Sequence, residues 1–199
     1  MNIFLRRQIM RLKRLPYRNG FGVHSPFAYE FLMQVAYERA AFYAFPALQR
    51  RYPTPHTLKG KRLLKCRQFL FRLANFIRPH TIRICGTLSE AAHDYLLAAC
   101  LNARITHETN LPLRPAKPQD ELVVIASDTR PSLALSIAAN PATPKSACLF
   151  CGIYASEQNL AAWQHAASTP PAAVTFDLHH FGLIFYDHTK PIQHYIINF

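Results

Sequence analysis

From Pro79 onward the chain alternates short apolar runs with longer helical stretches, and this constrains the fold more than any other feature. Residues 81–85, 104–108, 122–126 and 147–150 have the length and apolar content of strands. Residues 90–101, 132–139 and 157–167, lying between them, read as helices. Strand, helix, strand in succession requires crossover connections, and crossovers build a parallel sheet. The last runs, 174–178, 182–186 and 195–199, stand too close together for intervening helices. They are expected to pair antiparallel at one edge of that sheet.

Residues 1–78 follow a different pattern. Leu5, Ile9, Leu12 and Leu15 recur at helical spacing with Arg6, Arg7, Arg11, Lys13 and Arg14 between them, which predicts a short basic amphipathic helix ended by Pro16. Such a helix either lies on a membrane surface or caps its own domain, and the second reading is preferred. Ser25-Pro26 reads as a helix start, with a hydroxyl cap and proline in the first turn, so 27–41 is expected to be helical. Pro46, Pro53 and Pro55 predict turns. Apolar residues at Leu63, Cys66, Leu70, Leu73 and Ile77 alternate steps of three and four, the clearest helical pattern in the chain. The expected organisation is one compact domain: a basic helical extension, 1–78, packed on a core of 79–199.

Charge follows the same division. The formal net charge is +12, yet residues 1–78 hold 16 Lys and Arg against 2 acids, and residues 79–199 hold 7 against 9. A surface of that sign attracts polyanions, RNA or anionic lipid among them, through its field. The alternatives are a solvated basic face or an acidic partner subunit. With 50% apolar residues the chain has material for a packed interior, and no apolar run approaches the roughly 18 residues needed to span a bilayer. The first fifteen residues lack the apolar core and cleavage site of a signal peptide. Five cysteines, several inside apolar runs, fit buried thiols in a reducing compartment better than a disulfide framework, so a cytoplasmic address is expected.

Two segments carry a resemblance. One is Phe21-Gly22-Val23-His24-Ser25-Pro26-Phe27, preceded by Arg18-Asn19-Gly20. The other is Val174-Thr-Phe-Asp-Leu-His-His-Phe-Gly-Leu-Ile-Phe-Tyr186, followed by Gln193-His-Tyr-Ile-Ile-Asn-Phe199. With Tyr154-Ala155-Ser156, they resemble a group of bacterial class I S-adenosylmethionine-dependent methyltransferases with an HGVHSPF-type N-terminal motif. The resemblance implies a Rossmann-like class I methyltransferase sheet, here reduced, with an antiparallel C-terminal edge.

It also implies where the cofactor would sit. In that group the loop after the first strand resembles Glu-x-Gly-Thr-x-x-Gly, whose glycines let the backbone approach the ligand at a helix N-terminus. Here the loop reads Arg83-Ile-Cys-Gly-Thr-Leu-Ser-Glu90. Gly86 and Thr87 match, Ile84 replaces the acid, and Glu90 replaces the second glycine. Glu108 stands where an acid would accept hydrogen bonds from the ribose hydroxyls, or else is an ordinary solvated strand end. Asp128 lies two residues past Ala126, where a further acid is expected. Only 13 residues, three of them proline, separate Glu108 from Leu122, too few for a third strand with flanking helices. His24 either closes over a ligand as a base or bonds a backbone carbonyl. These departures imply a methyltransferase-like protein with weak or lost catalysis; the alternative is a non-catalytic scaffold that binds a polyanion (RNA or anionic lipid), through Arg6, Arg7, Arg11, Lys13 and Arg14, or a protein partner by its basic N-terminal part.

Metal chemistry has little support in the residues. An acidic pair expected after the fourth strand is Cys151-Gly152, which cannot bind a hard divalent cation through oxygen. Cys148 and Cys151 have the spacing of a zinc or redox pair, but an odd separation on a strand points the thiols to opposite faces. His179, His180, His188 and His194, near Asp177 and Asp187, are either a metal site or surface and hairpin histidines.

Overall fold

The structure, a computed structural model, describes residues 23–108 and 118–199. The expected basic helix with Arg6, Arg7, Arg11, Lys13 and Arg14 lies outside the described residues, as does the stretch 109–117 between the second and third apolar runs.

The helical N-terminal part starts as its residues predict. Ser25 Oγ accepts the Ala28 N–H at 3.4 Å and Pro26 opens helix α1 (Pro26–Phe31). The helix runs on as one π-helical segment, Leu32–Ala36, and stops at Tyr37, short of residue 41. Glu38 Oε1 then accepts the backbone N–H groups of Arg39 and Ala40, both at 2.6 Å, a local alternative to further helix. The turns expected around Pro46 are replaced by helix α2 (Phe45–Arg51). Proline sits in its first turn, where a missing N–H has no intrahelical partner to lose. Helix α3 (Leu58–Ile77) is capped by Thr57, whose Oγ1 accepts the Gly60 N–H at 3.1 Å.

The alternating region becomes β1 (Thr81–Cys85), α4 (Glu90–Ala99), β2 (Arg104–Glu108), β3 (Glu121–Ile125), α5 (Pro131–Ala138), β4 (Ala147–Cys151) and α6 (Glu157–Ser168). It closes with β5 (Val174–Asp177), β6 (Phe181–Phe185) and β7 (Gln193–Ile196). The sheet runs in the order β2-β1-β3-β4-β6-β5-β7. Pairs β1–β2, β1–β3 and β3–β4 are parallel, and β6 is antiparallel to both β4 and β5. The result is a mixed α/β fold of Rossmann-like type.

One expectation about the tail is corrected. β7 runs parallel to β5, not antiparallel. The tight turn at His179 and His180 places β6 on one edge of β5 only. The chain then crosses under the start of β5, where the Gln193 N–H donates to the Ala173 carbonyl at 3.0 Å, and climbs the other edge in the same direction.

Alternate residues of the central strands enter two cores, as a pleated strand requires. Ile82, Ile84, Leu122, Val124, Ala147 and Leu149 pack with α1, α3 and α4. Cys85, Val123, Ile125, Cys148 and Phe150 pack with α5 and α6 on the opposite face. The N-terminal helices therefore share the core of the sheet. Among the described residues, no helix is long and apolar enough to cross a membrane, and β2 has no strand on its outer edge.

Candidate functional site

The carboxyl ends of β1 and β3 meet at the sheet's change of direction, the usual location of a ligand crevice in such folds. After β1 the backbone turns at Gly86, whose φ of +80° is the left-handed region that favours glycine. Ser89 then caps α4 by accepting the Ala92 N–H at 3.3 Å.

The loop after β3 folds back onto this turn. Asp128 accepts the Thr87 N–H, with its oxygens at 2.9 and 3.2 Å from the nitrogen. A Cβ at position 86 would lie 2.4 Å from Asp128 Oδ1 and 2.5 Å from Thr129 Oγ1. Thr129 Oγ1 donates to the Cys85 carbonyl at 2.8 Å, and the Ala126 N–H donates to the same oxygen at 2.8 Å. The hydrogen bond from the Thr87 backbone, reinforced by its hydroxyl, holds the Asp128 carboxyl below the usual range. Gly86, Thr87 and Asp128 are thus brought together, but they satisfy one another.

Glu108 also reaches this end of the sheet, level with Cys85 in the register. Its Oε1 lies 3.4 Å from Arg83 Nε. Arg83 sits in the middle of β1 with its side chain 9% exposed, and its Nη1 donates to both oxygens of buried Glu121 at 3.0 and 2.9 Å. Burial pulls the Arg83 pKa down, but the hydrogen bond and charge of Glu121, with Glu108, more than offset it and hold the guanidinium above its ordinary value. Sequence reasoning missed this triad. The signal was an arginine inside the apolar run of Thr81-Ile-Arg-Ile-Cys85, which must find a carboxylate to be buried.

The remaining candidates separate. His24 is exposed ahead of α1, and among the described residues its side chain makes no hydrogen bond. Cys148 and Cys151 pack into opposite cores, and both are free thiols. Burial pushes the Cys151 thiol up to about 12. Among the described residues, no group of three or more His, Cys, Asp and Glu side chains is placed to hold a metal ion. The basic character survives on α3, whose first turns expose Lys59, Lys61, Arg62 and Lys65. Among the described residues no carboxylate pairs with these four.

A second concave feature lies farther along the sheet. A cavity of about 250 Å³ is lined by Tyr154, Trp163, Asp177, His194 and Ile196, with Leu160, Gln164, Ala167 and Ser168 of α6. No protein-family model matches the chain, and no curated protein matches it.

Proposed function

We propose that this chain is a class I methyltransferase-like protein of the cytoplasm in which S-adenosylmethionine binding and catalysis are weak or lost. The parallel strands up to β4 and the antiparallel β6 beside them agree with the frame that the resemblance implies. The carrying observation is the Asp128–Thr87 contact. A ligand using the Gly86 loop needs the Thr87 N–H and the space beside the glycine, and one carboxylate takes both. An anionic or carboxylate-bearing ligand would also meet the charge of Asp128. Glu108, the candidate ribose acceptor, faces the Arg83 guanidinium. The residues present do not fit the cofactor well.

Calorimetric titration with S-adenosylmethionine and S-adenosylhomocysteine tests this reading. The expected result is no saturable heat at submillimolar ligand, since losing a few charge-assisted hydrogen bonds of roughly 1.5–3 kcal/mol each removes several orders of magnitude in affinity. Saturable submillimolar binding that disappears in Glu108→Ala would establish a working cofactor site instead.

A second reading is favoured by the exposed cations of α3: a non-catalytic scaffold that binds a polyanion, RNA or an anionic lipid surface. Each neutralised phosphate releases a counterion, so RNA retention must fall with salt. Replacing Lys59, Lys61, Arg62 and Lys65 by Gln is expected to reduce low-salt retention on RNA or on anionic vesicles. Unchanged retention on both would remove this reading.

A further inference from the structure

The cavity beside α6 owes its existence to how that helix is seated. Gly182 of β6 has no side chain, and Trp163 drops onto it: a Cβ there would lie 2.4 Å from Trp163 Cε3. The contact draws the middle of α6 down against β6. Leu160, Gln164, Ala167 and Ser168 of the helix, with His194 and Ile196 of the edge strand β7, bound the space left over. At about 250 Å³ it is larger than the roughly 150 Å³ cavity that takes a benzene ring.

Three of its polar groups, Tyr154, Asp177 and His194, are held in place. Tyr154 Oη donates to Asp177 Oδ2 at 2.7 Å, and the His179 N–H donates to Asp177 Oδ1 at 3.0 Å. His179 is held at φ +67°, a conformation that a side chain other than glycine's rarely adopts, with its ring stacked on Tyr154 at 5.4 Å between centroids. On the other side, Thr175 Oγ1 and His194 Nδ1 share a hydrogen bond at 2.5 Å. Burial lowers the His194 pKa, against the opposing charge of Asp177, and so disfavours the charged imidazolium. Asp177 is then the one formal charge among the lining residues, which disfavours anionic ligands. The apolar wall of Leu160, Trp163 and Ile196 favours a flat ring.

We propose that this cavity binds a small nitrogen heterocycle of one or two rings, its N–H donated to the Asp177 carboxylate and its ring packed against Trp163. The site lies between α6 and the strands β5 and β7 and does not depend on the Gly86 loop or on the methyltransferase reading.

Trp163 is the only tryptophan of the chain and lines the cavity, so the tryptophan emission comes from its wall. The intact protein is titrated with benzimidazole, and with benzoate as an anionic ring of similar character. A saturable change is expected with benzimidazole and none with benzoate. Ala167→Phe, at a half-buried position of α6, fills the cavity and abolishes the change. Asp177→Asn weakens binding by about tenfold or more, as loss of a charge-assisted hydrogen bond does. If Asp177→Asn does not fold, Ala167→Phe decides. No saturable response to benzimidazole, an equal response to benzoate, or unaltered binding in folded Ala167→Phe would overturn the proposal.

Discussion

The carboxylate of Asp128 stands 2.9 Å from the backbone nitrogen of Thr87, in space that exists only because position 86 lacks a side chain. The loops after β1 and β3 are therefore tied across a gap in sequence of 41 residues. In Asp128→Ala the Thr87 amide loses its charged acceptor. Its hydrogen exchange is expected to speed up about tenfold to a hundredfold, with the amides of β1 unchanged. An unaltered Thr87 rate, measured by NMR, would mean that the contact does not hold the loop.

The Arg83–Glu121 pair makes a quantitative claim about the sheet. Glu121→Ala leaves a buried guanidinium without its two-point partner, and urea unfolding should register a loss of about 3–5 kcal/mol. Glu108 is 20% exposed at its side chain and only 3.4 Å from Nε, so Glu108→Ala is expected to cost under about 1 kcal/mol. Equal losses in the two variants would contradict this division of roles.

Stability at low pH should reveal Asp187. Its carboxylate accepts from Lys190 Nζ and from the Thr189 hydroxyl and backbone N–H, the latter two at 2.6 and 3.0 Å. Lys190, with Thr189, brings its pKa down to about 2. A depressed folded pKa stabilises fully above the unfolded value of about 3.9 and is lost as pH falls through the folded value. Asp187→Asn is therefore expected to flatten the dependence of the unfolding midpoint on pH between about 4 and 2. Parallel curves for the two proteins would show that the contact contributes nothing.

Gly182 under Trp163 admits no side chain without movement. Gly182→Ala places a Cβ within 2.4 to 2.7 Å of three indole atoms. Overpacking of this kind costs about 1–3 kcal/mol. The substitution should also shift the Trp163 emission, because the indole must lift from the sheet. A variant as stable as the parent, with unchanged emission, would place the indole elsewhere.

Much of this architecture is readable from local sequence. Strands 81–85 and 104–108 fall where apolar runs predict them, and Ser25 caps its helix as its neighbour Pro26 suggests. The opposed faces of Cys148 and Cys151 follow from strand periodicity alone. Such features arise from interactions between residues a few positions apart, so they survive in the linear order. The helix at Pro46 cannot be read locally, because proline breaks a helix interior yet is tolerated in its first turn, and only the packed core around Phe45, Leu48 and Phe71 decides which applies. The parallel course of β7 depends on which edge of β5 the hairpin strand β6 already occupies. The same holds for the candidate site. The sequence supplied Gly86, Thr87, Glu108 and Asp128 as residue types suited to a nucleotide loop. Tertiary structure alone decided that Asp128 fills the glycine's space and that Arg83 faces Glu108, because each contact joins distant segments whose spacing is set by the register of the sheet.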